Sequence, residues 1–138
     1  MSFAATVSRS IDAPPARVWR ALTTAELAAW FWPPRFAATA ALDRVVGGEL
    51  RIRSEAMGMG VTGEVVELVE GERVLVTWRW DDEEGETLLA LGVEPEGDGS
   101  LVSVVQEGFP TAEAAEEHAQ GWRDCLDRLP AHLEANPA

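Results

Sequence analysis

The sequence predicts one α+β domain with a curved, seven-stranded antiparallel sheet, two short helices and a long C-terminal helix that covers the concave face of the sheet. Three observations predict it. Apolar and polar residues alternate in seven separate runs, the pattern of half-buried strands. Short, glycine-containing turns separate several of the later runs, so sequential strands are expected to pair as antiparallel hairpins. The final segment instead repeats its apolar residues every three or four positions, as an amphipathic helix does.

Length and charge restrict the classes of protein to which the chain can belong. Its 138 residues are the size of one domain, and 24 acidic against 11 basic residues give a net charge of −13. Phosphate backbones and anionic lipid repel such a chain, so we expect no nucleic-acid partner and no membrane insertion. The single cysteine, Cys125, forms no internal disulfide. With neither a signal peptide nor a membrane span in the sequence, a cytoplasmic location is expected.

The first quarter of the chain predicts a strand and then two short helices. Alternation from Phe3 to Asp12 indicates the strand, and two prolines follow it. Because proline suits a first helical turn, Asp12 is expected to cap a helix at Ala16–Leu22. A second short helix, capped by one of the two threonines that follow, is expected to end in the aromatic and proline-rich segment Trp30–Pro34.

The rest of the chain predicts six more strands and the long helix. The strands are expected at Thr39–Val45, Glu49–Glu55, Val61–Val69, Arg73–Trp80, Thr87–Pro95 and Leu101–Phe109. Thr111 is expected to cap the helix, whose apolar stripe includes His118 and Trp122. Pro130 lies within this stripe, so a kink or stop is expected near Leu129.

This order of elements resembles the helix-grip fold of the START-like, birch-pollen-allergen-like superfamily. Several motifs, which together span most of the chain, resemble the family named for the activator of the heat-shock-protein-90 ATPase. They are Ala13–Thr23, Leu27–Pro33, Val46–Leu50, Gly63–Leu68, Arg73–Trp78, Gly108–Phe109 and Gly121–Leu129. The resemblance implies a hydrophobic cavity between the sheet and the last helix. It implies no single activity, because the superfamily includes lipid and hormone carriers, polyketide cyclases and hydrolases.

The inward face of the sheet follows from its alternation. In the Arg73–Trp80 strand, Trp78 and Trp80 share one face and the arginines share the other, so the tryptophan face is expected to point inward. We expect the cavity to bind a small apolar molecule. The candidate ligand-binding residues are Trp30, Trp32, Phe36, Met57, Met59, Trp78, Trp80, His118 and Trp122.

Two groups among these candidates carry alternative interpretations. Trp30 and Trp32 lie at a helix end beside prolines, where each is either a structural plug or a gate that contacts the ligand. The segment Met57–Gly60 is either a mobile flap over the cavity or an ordinary hairpin turn, because glycine serves both.

The sequence also leaves two other classes of function open. A cyclase-like or hydrolase-like enzyme would use His118 or Glu67 as an acid or base. Otherwise His118 is a core histidine bonded to a backbone carbonyl or to Glu107, and Glu67 pairs with Arg51 or Arg53 at the rim. We assign no catalytic residue, because nothing in the sequence fixes a second group beside either one.

The second alternative is a protein-interaction module, which would need a large exposed apolar patch. Chaperone contact is not expected, since the chain has no room for the remainder of such a co-chaperone. Two histidines and one cysteine fall short of a metal site, so we expect neither a metal nor a cofactor. A homodimer formed by the pairing of sheet edges stays open.

Overall fold

Strands and helices follow one another in the predicted order in the computed structural model, which describes residues 2–137. The elements are β1 Phe3–Ile11, α1 Pro15–Thr23, α2 Leu27–Trp30, β2 Thr39–Leu42, β3 Glu49–Ser54, β4 Met59–Val69, β5 Arg73–Trp80, β6 Thr87–Glu96, β7 Gly99–Phe109 and α3 Ala112–Ala135. A single 3-10 turn at Pro34–Phe36, which the sequence did not predict, joins α2 to β2. None of the helices within the described residues is long and apolar enough to cross a membrane.

The seven described strands form one antiparallel sheet in the order β1-β7-β6-β5-β4-β3-β2. Strands β2 to β7 are a meander, because each pairs with its neighbour in sequence. β1 returns to the far edge and pairs with β7, from Phe3 opposite Phe109 to Ile11 opposite Ser100. The predicted α+β, helix-grip architecture is therefore confirmed.

The inward faces of the strands are those that alternation predicts. Val74, Val76 and Trp78 are at most 3% exposed, whereas Arg73 and Arg79 on the other face of β5 are exposed. Between this face and the helices, however, the centre is filled. The gap left among the buried side chains of β3, β5, β6 and α1 is about 10 Å³, no more than one water molecule needs. The ligand cavity that was expected between the sheet and the last helix therefore does not lie in the middle of the domain.

Helix α3 departs from its prediction at one end only. Thr111 caps it as predicted, because its Oγ1 accepts a hydrogen bond from the amide of Ala114 at 3.0 Å. Of the kink or stop predicted near Leu129, the stop is wrong, since the helix runs through Pro130 to Ala135, and the kink stays a prediction. A proline inside a helix lowers the free energy of unfolding by about 3 kcal/mol, whereas burying one leucine side chain raises it by about 1.5–3 kcal/mol. Leu129 and Leu133 are both buried, which offsets that cost.

The cap of the first helix is also different from the prediction. Pro14 occupies the capping position of α1, and no side chain accepts a hydrogen bond there. Asp12 therefore does not cap α1. Because Pro15 lacks an amide hydrogen, one of the donors that a cap would have to satisfy is missing from this first turn.

A β-bulge in β4 turns Glu67 away from the interior, which it would have to face in the enzyme hypothesis. The register of β4 against β5 shifts between Val65, which lies opposite Val76, and Glu67, which lies opposite Leu75. The extra residue reverses the alternation beyond this point, so Glu67 points outward. Its carboxylate is half exposed and accepts a hydrogen bond from Arg73 Nε at 2.9 Å.

Glu26 connects α1, near the N-terminus, to the end of α3, near the C-terminus. Its carboxylate accepts hydrogen bonds from Arg17 at 2.7 Å and Arg20 at 3.0 Å, both on α1. His132 Nε2, near the end of α3, lies 2.7 Å from the same carboxylate. Burial alone would raise the pKa of Glu26, but the bonds from Arg17, His132 and Arg20 outweigh it and hold this pKa at about 2. The carboxylate is therefore ionised at any ordinary pH.

Candidate ligand pocket

An open pocket of about 410 Å³ lies beyond the filled centre, where α3 and β5 meet the segment that follows α2. Six phenylalanine and tryptophan side chains line it, and charged residues of α3 lie on one side. The lining residues are Phe31, Trp32, Pro33, Phe36, Met59, Trp78, Trp80, Glu117, His118, Gly121, Trp122, Asp124, Cys125 and Arg128.

The aromatic rings of the pocket contact one another and form a continuous cluster. Trp32 and Trp80 stack with their centroids 6.3 Å apart. Phe31 meets Trp78 and Trp122 edge to face, at 5.6 and 5.5 Å between centroids. Such pairs add about 0.5–1.5 kcal/mol each beyond the area they bury. The wall is therefore held in place by its own contacts and does not depend on a guest.

The segment after α2 reaches the pocket because prolines end the helix. Pro33 and Pro34 cannot continue α2 beyond Phe31, and the chain turns through Pro34–Phe36. Ala37 closes this turn in the left-handed region, with a φ of 49°. Ser54 Oγ on β3 then donates a hydrogen bond to the carbonyl oxygen of Phe36 at 2.6 Å, which fixes the turn against the sheet.

Both ring nitrogens of His118 have partners. Nδ1 lies 2.9 Å from the carbonyl oxygen of Ala114, one turn earlier in α3. Trp80 Nε1 donates to His118 Nε2 at 3.2 Å. An indole N–H only donates, so Nε2 accepts and the ring is neutral, with its proton on Nδ1. This matches the structural interpretation in which a backbone carbonyl holds the ring. A role as a base would first require the bond to Trp80 to break.

Cys125 and Arg128 tie α3 to the end of α2. The Cys125 thiol donates to the carbonyl oxygen of Phe31 at 2.9 Å. Arg128 donates through Nη2 to the same oxygen at 2.7 Å and through Nε to that of Trp30 at 3.0 Å. Burial raises the pKa of the Cys125 thiol to about 12, although the positive charge of Arg128 opposes the rise. The thiol is thus a structural donor and not a nucleophile.

A buried polar chain that the sequence analysis missed lies behind the aromatic wall. Trp122 Nε1 donates to Gln106 Oε1 at 2.8 Å, and Gln106 Nε2 donates to Thr87 Oγ1 at 2.8 Å. Gln106 is fully buried on β7. By contrast, Trp78 Nε1 is buried without a hydrogen-bond acceptor among residues 2–137. A glutamine at an inward position of a strand is the signal that would have located this chain.

We expect Trp122→Phe to lower the free energy of unfolding more than Trp78→Phe. Each substitution removes the same atoms from a buried indole, but only the first leaves Gln106 Oε1 without its donor. An unpaired buried acceptor costs about 1–3 kcal/mol, and the two variants should differ by that amount. Urea denaturation measures both. Equal losses would show that the bond to Gln106 adds nothing to stability.

The structure brings most of the predicted site residues to this pocket. They are Trp32, Phe36, Met59, Trp78, Trp80, His118 and Trp122. It does not bring Trp30, which is fully buried and donates through Nε1 to the carbonyl oxygen of Ala21 at 2.9 Å. Trp30 is therefore a structural plug, while Trp32, two residues later, lines the pocket.

Met57 is the second predicted residue that lies elsewhere. It is 49% exposed in the turn before β4 and does not line the pocket. Gly58, with a φ of 63°, closes this turn, which favours the interpretation as an ordinary hairpin turn. Met59, the first residue of β4, does line the pocket. Alternation could not separate the two methionines, because it does not say where a strand begins.

Sequence reasoning missed several pocket residues, most of them on α3. Glu117, Gly121, Asp124 and Arg128 lie four, three and four residues apart, which is one stripe of a helix. Their spacing was visible in the sequence. Because these residues are charged or small, hydrophobic periodicity indicated the neighbouring stripe, which faces the core.

Comparison with known families finds a match along almost the whole chain. A family model described as activator of Hsp90 ATPase homolog 1-like protein matches residues 12–134. No curated protein matches the chain.

Solved structures match over similar lengths. Protein CV1439 from Chromobacterium violaceum is 33% identical, with 93% of this chain and 94% of that chain covered and a TM-score of 0.77. A protein from Rhodobacter sphaeroides is 26% identical, with 96% and 92% covered and a TM-score of 0.78. Protein MLL2253 from Mesorhizobium loti is 21% identical, with 97% and 98% covered and a TM-score of 0.82, and shows the fold alone.

Proposed function

The chain belongs to the family of activator of Hsp90 ATPase homolog 1-like proteins, and from this premise we propose that it binds one small, largely apolar molecule in the aromatic pocket. A single observation carries the proposal. The pocket of about 410 Å³ stays open although six aromatic rings line it and pack against one another. Small-molecule sites usually measure about 300–1,000 Å³ and are lined mainly by apolar groups.

The polar groups of the pocket support binding over chemistry. His118 has partners on both nitrogens, and the Cys125 thiol is protonated and bonded. Glu67, the other residue considered for an enzyme, lies on the outer face of the sheet. Binding energy would come from the apolar surface that a guest removes from water, at roughly 25 cal/mol per Å² before the cost of ordering.

A tryptophan-fluorescence titration with fatty acids, aromatic polyketides and sterols tests the proposal. The chain has six tryptophans and no tyrosine, and four of the six indoles line the pocket. We expect at least one class of compound to shift the emission, with saturation at one molecule per chain. Trp19→Phe is the matched control, because Trp19 lies outside the pocket and should leave the response in place.

A titration in which no compound of the three classes shifts the emission would exclude these classes as the guest, and the absence of any small-molecule binding in the pocket would contradict the proposal. Activity of an enzyme would appear differently, as product formation that His118→Ala removes while the fold is retained. The hypothesis of a protein-interaction module stays a prediction, and a pull-down that recovers a stable stoichiometric partner would support it.

A further inference from the structure

The pocket has two carboxylates at its rim that are largely unpaired. Glu117 and Asp124 both line it, and both are exposed on α3, seven residues and two turns apart. Within residues 2–137, the carboxylate of Glu117 has no hydrogen-bond or ion-pair partner. That of Asp124 accepts one bond, from Gln120 at 3.1 Å. Two carboxylates with unused acceptor capacity therefore stand beside an aromatic wall.

The positive charge in the pocket is already engaged. Arg128 donates to the carbonyl oxygens of Trp30 and Phe31, the last residues of the α2 turn, where the backbone dipoles favour a cation. His118 is neutral, because its Nε2 accepts from Trp80. The net charge of −13 on the whole chain adds an attraction for cations and a repulsion for anions.

We propose that the guest is an organic cation, an amine or quaternary ammonium group carried on an apolar body. The inference rests on the proposed function and names its ligand class. Aromatic faces attract cations through the ring quadrupole, most strongly when the ring is an indole. Trp32 and Trp80 provide such rings, and Glu117 and Asp124 provide the opposite charge at the rim. The apolar body then packs against the remaining rings.

Three probes that share a benzyl group and carry a tetrahedral head group separate charge from shape. They are benzyltrimethylammonium, its neutral isostere neopentylbenzene and the anion phenylmethanesulfonate. Binding is followed by NMR through the indole N–H signals of the ¹⁵N-labelled protein, at low ionic strength and again in 0.5 M salt, where the Debye length falls to roughly 4 Å. We expect the cation to bind about tenfold more tightly than the isostere, with the anion weakest. High salt should reduce the preference.

A double variant that removes both negative charges at the rim tests how much the carboxylates contribute to binding of the cation. In Glu117→Gln with Asp124→Asn, the affinity for the cation should fall about fivefold, while that for neopentylbenzene stays the same. The matched control is Glu116→Gln with Glu134→Gln, which removes two exposed carboxylates of α3 that do not line the pocket. The control should keep most of the preference for the cation.

The outcomes distinguish the two proposals. Equal affinity for the cation and its isostere would overturn the inference but support an apolar site. Tighter binding of the anion would also overturn it and would assign the recognition to Arg128. If the indole signals of pocket residues respond to none of the three probes, and the fluorescence titration is silent as well, the proposed function itself fails.

Discussion

Replacing Gly121 with leucine should abolish binding in the aromatic pocket while the protein stays folded. Gly121 lines the pocket from α3, and within 4 Å a Cβ atom built on it meets nothing beyond its two chain neighbours and the backbone of the surrounding helix turn. A leucine side chain therefore enters the space that a guest would occupy and needs no movement of the backbone. In a helix, leucine is also favoured over glycine by about 0.5–1 kcal/mol, so the free energy of unfolding should rise.

Gly121→Ala is the matched control for this substitution. Alanine brings the same gain in helix propensity, about 0.5–1 kcal/mol, but adds only one methyl group to the pocket. We expect it to bind guests nearly as wild type does, whereas Gly121→Leu loses at least about tenfold in affinity, or about 1.4 kcal/mol. Unchanged affinity in Gly121→Leu, measured by the same fluorescence titration, would place the binding site elsewhere.

Glu26→Gln should lower the free energy of unfolding by about 2–3 kcal/mol near neutral pH, because an ion pair is lost whose side chains are only 6% (Arg17) and 25% (Glu26) exposed. Arg17 is only 7% exposed, and the carboxylate of Glu26 accepts hydrogen bonds from both of its terminal nitrogens. The amide leaves this guanidinium buried without a counter-charge. Glu67→Gln is the control, because its exposed pair with Arg73 should contribute less than about 1 kcal/mol.

The same carboxylate makes stability depend on pH in the acid range. The pKa of Glu26 is about 2 in the folded protein against 4.5 ordinarily, so the unfolded chain takes up the proton first. Its contribution is complete above pH 4.5 and is lost as the pH falls toward 2. Denaturation curves between these values should show a steeper decline for wild type than for Glu26→Gln. Parallel declines would rule out this role.

The sequence predicted the strands well because their residues alternate and their turns contain glycine. The bounds of β5 agree at both ends, and the inward position of Trp78 follows from alternation alone. The orientation of Glu67 could not be predicted, because a bulge inserts one residue without changing the hydrophobic pattern on either side. Pro130 predicted a kink or stop near Leu129, and the stop does not occur because the burial of Leu129 and Leu133 lies outside any local rule.

The pocket was only partly predictable, because its position depends on packing between distant segments. Alternation placed Trp78 and Trp80 on the inward face, but it could not say that the centre is filled and that the room lies at one end. Trp30 and Trp32 are the same residue type in the same segment. Only the turn formed by the prolines places Trp32 in the pocket. The bonds of Gln106 and Arg128 join residues that lie far apart in the chain.

The filled centre has a consequence for the empty state of the protein. A carrier with a hollow interior tends to collapse or loosen when its cargo leaves, because the lining then loses its contacts. Here the middle of the domain is complete without a guest. Amide hydrogen exchange should therefore show equal protection for β6 and β7 in the vacant and occupied forms. The added protection should be confined to the mouth of the pocket, at residues 31–36 and 117–128.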